Sequence, residues 1–342
     1  MLLKPAPLKR IKRNLFSSPF DACVSLLLFF LVGWFLSNTI HWIFVVADWS
    51  VVLHNIPLFA FGSYPTDQQW RPILWLSMMS ILFALTFLAP RQGLLRKSLP
   101  LLWIFMLPCG VCLLAGGIGL LAIPSRSWGG LTLTLLLTIC SASLALPIGI
   151  LLALGRQNSL PVIQRSCMFY IDVMRSVPLI AVLFFGQLLI PLFLPHDLEV
   201  NRVLRAVVAF ALFAAAYIAE DVRGGLQAIP NTQREAAVVL GLSQPQILQF
   251  VILPQALRIA LPALTNQAVG LLQNTSLMAI LGLVELLGIG LSLLANPSFI
   301  GRYLEVYVWL AVLYWIVCTA MALLSRHLEC QLNPTAASTQ PS

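Results

Sequence analysis

A succession of apolar runs, each close to the length of a membrane crossing, decides what this chain can fold into. They lie at about 22–46, 73–90, 99–123, 131–154, 178–195, 203–219, 256–282 and 303–325. A helix needs roughly 20 apolar residues to cross a hydrocarbon core. Backbone groups inside that core must bond within the segment, which leaves helices as the solution here. The reading is an all-α membrane protein with about eight transmembrane helices. Composition excludes a soluble domain, because 59% of the 342 residues are hydrophobic and only 9% are charged, against roughly 25% in soluble domains. The first run is too long for a signal-peptide core and lacks a small-residue cleavage site, so it is expected to stay as a span. A short apolar piece, 283–295, is expected not to cross. Its Glu285 fits either an outer vestibule or simple interfacial solvation.

Eight crossings put both termini on one face. Of the 20 lysines and arginines, the other face holds Arg71, Arg126, Arg202, Arg205 and Arg302, and the first face holds the rest. The positive-inside rule then makes both termini cytoplasmic, together with a polar segment at 220–258. The net charge of +8 accordingly reads as topology, and no nucleic-acid partner is implied. A basic arm at 1–20, with Lys4, Lys9, Arg10, Lys12 and Arg13, fits contact with membrane lipid or orientation of the first span. A loop at 47–72 is placed outside, and 329–342 is a polar tail.

Several chemistries are excluded or weak. The four lysines, at 4, 9, 12 and 97, leave no G-x-x-x-x-G-K-[ST] phosphate loop, so the chain is expected to bind no ATP and to be no enzyme. Cys109 and Cys112 form a C-x-x-C inside a span without a second Cys pair or a His cluster. Small buried residues explain them better than a metal or redox site.

The segment 220–258 is the longest polar interruption in the second half. Thr232 and Glu235 have capping-box spacing, which predicts a helix from about 233. Gly241 can take the left-handed conformation that ends it. Ser243 and Gln246 repeat the spacing, so two short helices bent about Gly241 are expected. Ala236, Ala237 and Ala256 admit a close backbone. A hairpin packed on its own protein, with Glu235 as a mere cap, satisfies these facts as well as a docking surface does.

The order Glu235-Ala236-Ala237, three residues, Gly241, nine residues, Val251, one residue, Leu253-Pro254 resembles the EAA signature of ABC-importer permeases, with Val where the family prefers Ile. Gly130-Leu131-Thr132-Leu133-Thr134, the stretches 170–178 and 217–225, and Asn274-Thr275-Ser276-Leu277 extend the likeness to amino-acid permeases of the histidine-permease type over about 128–328. The first 125 residues are similar to the N-terminal extension of permeases for general or polar L-amino acids. The resemblance implies a type I ABC importer permease core of five spans at 126–328, preceded by a three-helix extension at 21–125. It implies an ATPase dimer docked at the 230–254 loop, a second permease subunit, and a periplasmic or extracellular amino-acid-binding protein. ATP and Mg would be used by the ATPase, with no cofactor on this chain. Alternating access would carry amino acids across the cytoplasmic, or inner, membrane.

Polar groups inside spans are functional candidates. Asn266, Gln267, Gln273, Asn274, Thr275 and Ser276 concentrate in span seven, which is expected to be broken. They suit a translocation path or interhelical hydrogen bonds. Related permeases usually carry Lys-Asp where this chain has Gln273-Asn274, which points to neutral cargo or to the less engaged half of an asymmetric pair. Asp172 with Arg175, and Glu220 with Arg223, have i, i+3 spacing and read as surface ion pairs or as gating pairs. An ion-coupled secondary transporter would need intramembrane acids or an inverted repeat. A membrane thiol enzyme would need a second Cys pair.

Overall fold

The computed structural model describes residues 15, 18–88, 94–117, 119–193, 195 and 200–332. Lys4, Lys9, Arg10, Lys12, Arg13, Arg91 and the tail beyond 332 lie outside the described residues. All regular structure described is helical. Contacts divide the chain into a unit ending at Leu53 and a unit from His54. In the first unit, α1 (Pro19–Val46) starts at Ser18, whose hydroxyl accepts the Asp21 N–H. Its leucines and phenylalanines are exposed nearly all round, as suits a helix solvated by lipid.

The second unit holds the other longer helices. They are α2 (Trp70–Leu88), α3 (Leu94–Ala115), α4 (Gly130–Arg156), α5 (Pro161–Ser176) and α6 (Leu179–Phe193), followed by α7 (Arg202–Gln227), α8 (Asn231–Val239), α9 (Gln244–Leu281), α10 (Leu286–Leu294) and α11 (Tyr303–Leu332). Among the described residues six helices are long and apolar enough to cross a membrane, or seven if α5 and α6 count as one bent span. The apolar part of α3, Leu101–Ala115, is shorter. Helices thus occur at every expected crossing, and a count of eight spans is not established by length.

The centre is α7. It is 61% buried over its apolar window, against 11% for α11, and its largest contact is with α4. The cause is small side chains. Ala206, Ala209, Ala211, Ala214, Ala215, Ala216 and Ala219 are all buried. On α4, a Cβ at Gly149 would come within 2.5 Å of Ile218. Helices in lipid associate through such close packing, since the apolar solvent supplies no hydrophobic drive. On another face of α7 the same device admits α9, where a Cβ at Gly225 would stand 2.4 Å from the Ala256 carbonyl oxygen.

Two expectations about irregular segments change. Residues 161–176, expected within a polar connection, form α5 instead. The chain then turns by 105° into α6, because Pro178 forces Val177 into extended backbone (ψ 136°). The seventh span runs as one helix from Gln244 and passes through Pro262. Its turns widen at Ile247–Ile252, ahead of Pro254, which has no N–H and would crowd the carbonyl four residues back. They tighten at Thr275–Leu281 before Gly282 (φ +78°) ends the helix.

The expected loop 47–72 contains the short helix Ile56–Phe61, which packs on the start of α4. Thr132 donates to the Ala60 carbonyl at 2.8 Å. Gly62 sits at φ +65°, and a Cβ there would lie 2.4 Å from the Gly129 Cα. Its ψ of −144° puts it in a region open essentially to glycine alone, so Gly62→Ala should cost about 1–3 kcal/mol for the backbone conformation alone, with the clash in addition. Thermal melting of the detergent-purified protein should show a clear drop for Gly62→Ala. Gly33→Ala, where nothing lies within 4 Å, serves as the control.

Candidate functional site

The polar segment 220–258 builds one end of the helix bundle. Its first element is an ion cluster on Glu220, near the end of α7. The Glu220 carboxylate pairs with Arg156 at the end of α4, with Arg223 one turn on at 2.8 Å, and with Arg175 of α5 at 3.4 Å. Arg223 also donates to Gln227, and the Arg175 guanidinium lies over the Tyr217 ring. One carboxylate thus joins three helices. The expected Asp172–Arg175 pair is not what forms, since Arg175 reaches Glu220 and Asp172 stays exposed. A single acid facing three guanidiniums leaves none of them for a more weakly placed neighbour. Arg156, 64 residues away in sequence from Glu220, was invisible to local spacing.

The docking candidates follow directly. Helix α8 begins at Asn231 with Pro230 as its N-cap and no side-chain cap. The expected Thr232–Glu235 capping box does not form, because the helix starts early enough to place both residues inside it. Glu235 is exposed, with no hydrogen bond among the described residues, so its carboxylate is not spent on capping. Gly241 takes φ +77°, and the Leu242 N–H bonds back to the Ala237 carbonyl, which closes the helix as a glycine stop does. The second capping box is present, with the Gln246 side chain accepting from the Ser243 N–H at 2.9 Å. The helix that follows is not short, because it continues as α9.

Within this hairpin Ala237, Ile247 and Ile252 are buried and hold α8 against the start of α9. Val251 and Leu253 are half-buried, and Ala236 and Pro254 are exposed. Ala256 is buried against Gly225, so its small size serves this chain's own packing. Val239 is 87% exposed, Leu240 79% and Phe250 65%. That is a large apolar surface on an otherwise polar segment.

The amides of span seven divide by burial. Asn266 and Gln273 are exposed, and with Gly270, which has nothing within 4 Å of its Cβ direction, they fall on one stripe of α9. Gln267, Asn274 and Ser276 are half-buried, and Gln267 is turned to Asp221 of α7. Thr275 is buried, with its hydroxyl donating to the Leu272 carbonyl. It therefore packs inward, while Asn266 presents its amide on the open side and the exposed Gln273 amide donates to Cys318 Sγ of α11 at 3.8 Å.

Glu285 does not face a vestibule. It is fully buried and caps α10, accepting from the Leu287 and Gly288 N–H groups and from Tyr314 Oη of α11. Thr134 of α4 accepts the neighbouring Leu286 N–H. Four hydrogen-bonding groups converge from three helices. The two N–H groups are ordinary N-cap partners, whereas Tyr314 lies 29 residues from Glu285 and Thr134 lies 152 from Leu286, beyond any local spacing.

With this geometry in view, comparison with known proteins places the chain. The family model for the inner membrane component of binding-protein-dependent transport systems matches residues 145–333. The chain belongs to this family. The match covers the Glu220 cluster, the hairpin and the span-seven amides of this transport-system component. The inner membrane amino-acid ABC transporter permease protein YhdY of Escherichia coli K12 is 36% identical, over 94% of this chain and 92% of that protein. The glutamate/glutamine/aspartate/asparagine transport system permease protein BztC of Rhodobacter capsulatus is 30% identical, over 96% of each. A solved amino acid ABC transporter, determined with histidines, matches with a TM-score of 0.53 and 28% identity over 58% of this chain and 91% of its own. The permease is thus an all-α, multi-pass protein of the inner membrane, with the type I importer fold.

Glu220→Gln removes the charge that all three arginines share. A lone exposed ion pair is worth about 0–1 kcal/mol, whereas leaving these partly buried guanidiniums without their acceptor costs more, roughly 1–3 kcal/mol. Melting of the purified permease should drop clearly for Glu220→Gln and hardly at all for Asp172→Asn.

Proposed function

We propose that this chain is the membrane-spanning subunit of an ATP-driven amino-acid importer. Its energy comes from separate ATPase subunits coupled through the 230–254 hairpin. The observation that carries this reading is the hairpin surface. Val239, Leu240 and Phe250 are exposed beside an uncommitted Glu235, on a unit whose own packing is already satisfied by Ala237, Ile247 and Ile252. A connector folded only onto its own protein would bury those apolar groups. An ion-coupled carrier acting alone has no use for them.

In this reading the hairpin and both termini face the cytoplasm. Two ATPases dock there, a second permease completes the path, and a binding protein delivers cargo at the opposite face. ATP and Mg act in the ATPases and not on this chain. Amino acids are the cargo class, in keeping with what YhdY and BztC are named for. Closure of the ATPases would push the hairpin. Because α9 runs unbroken from Gln244 to Leu281, that push would reach Asn266, Gln273 and Asn274 directly. The Glu220 cluster would hold α4, α5 and α7 together while α9 moves.

Affinity purification from native membrane in mild detergent should recover an ATPase and a second permease. Recovery of the chain alone in a transport-competent state would reject the reading. Gly241→Val tests the coupling. No atom lies near a Cβ at this site, so the substitution acts only through the left-handed backbone, at about 1–2 kcal/mol. ATP hydrolysis in the assembled complex should persist while uptake falls severalfold, and normal uptake would refute the coupling role. For the path, Asn274→Ala should change the KM or rate of uptake at unchanged membrane abundance.

A further inference from the structure

A cavity of about 720 Å³ opens at the end of the bundle opposite the hairpin. Its wall includes Arg126 before α4, Arg202 and Arg205 in the first turns of α7, and Trp128. The volume is that of a small-molecule site. Arg202 and Arg205 share one face of α7 by their i, i+3 spacing. Arg205 is fixed in place, because its guanidinium donates to the Gln187 carbonyl while the Gln187 amide donates to the Arg202 carbonyl. Gln187 itself is buried, in the widened turn of α6.

This wall has more donors than acceptors. Arg126, Arg202 and Arg205 form no ion pair among the described residues, in contrast to the arginines around Glu220. Two buried donors, the Trp128 indole Nε1 and the Arg205 Nε, have no hydrogen-bond partner among the described residues. Trp128 is 7% exposed, so its N–H is deeply placed, and an unmet buried donor is costly. The one side-chain amide acceptor there, Asn201 Oδ1, is already taken by the Ser125 hydroxyl and the Val203 N–H. Guanidiniums and spare N–H donors in a concave wall attract and hold an anion, and planar carboxylates suit them best.

The geometry points to a carboxylate-binding vestibule: the cavity bounded by Arg126, Trp128, Arg202 and Arg205 receives the carboxylate of a small amino acid before it enters the membrane path. This rests on the import reading, which makes the cavity the outer end. Charge draws the cargo in, and the exposed guanidiniums of Arg126 and Arg202 keep the hold weak enough for release toward the neutral amides of α9.

The test uses the assembled permease–ATPase complex in nanodiscs, washed free of binding protein. The probes are L-glutamate, L-glutamine and L-glutaminamide, with two, one and no carboxylates. Affinity should fall in that order. The Arg126→Gln/Arg202→Gln double variant should weaken L-glutamate roughly tenfold and leave L-glutaminamide unchanged. Arg126→Lys/Arg202→Lys should keep most of the binding, which guards against a folding effect, and Arg302→Gln should behave as wild type. Equal affinity for all three probes overturns the assignment, as does unchanged L-glutamate binding in the double variant. Loss of binding-protein docking alone, with L-glutamate binding intact, also overturns it. A wild-type complex that moves no amino acid once the binding protein is restored rejects the import reading and the vestibule together. One that transports but ignores carboxylate number rejects the vestibule alone.

Discussion

The close approach of α4 and α7 is the constraint on which the rest of the second unit depends. Lipid solvates an isolated leucine as well as another helix does, so apolar surface alone does not bring spans together. What does is the alanine face of α7 meeting Gly149 on one side and, on another, its Gly225 meeting Ala256. At these distances a single Cβ on either glycine would overlap its neighbour. The helix that makes both contacts is therefore the one to which α4, α5 and α9 are all referred.

Because α7 rises about 1.5 Å per residue, its two ends stand a membrane thickness apart, and they carry opposite electrostatic arrangements. At one end a single acid, Glu220, is shared by three arginines from three helices. At the other, Arg202 and Arg205 face a cavity with Arg126 and no paired acid among the described residues. The first arrangement satisfies its charges internally and clamps the bundle. The second leaves donor capacity facing open space, where something other than this chain can use it.

The third structural theme is continuity. Helix α9 begins in the hairpin beside Phe250 and ends beyond Gln273 and Asn274 without a break. Its irregular turns lie at the two ends, ahead of Pro254 and from Thr275 to Gly282. A stiff rod with adjustable ends carries displacement better than two short helices on a flexible joint. The short helix Ile56–Phe61 adds a fixed support, since Gly62 and Gly130 bring it against the start of α4.

Sequence alone determined the helical membrane class, because runs of apolar residues near membrane length have no other solution in lipid. It also determined the glycine stop at Gly241, the Ser243–Gln246 capping box and the Glu220–Arg223 pair. All of these are local, set by residues within four positions of each other. Tertiary structure decided the rest. It assigned Arg175 to Glu220 instead of Asp172 and brought in Arg156 from α4. It started α8 early enough to free Glu235 from capping, buried Glu285 under Tyr314, and gathered Arg126 with Arg202 and Arg205. Each of these depends on which helix faces are pressed together, and that is set by small-residue packing between segments tens of residues apart. Spacing along one helix carries no record of it.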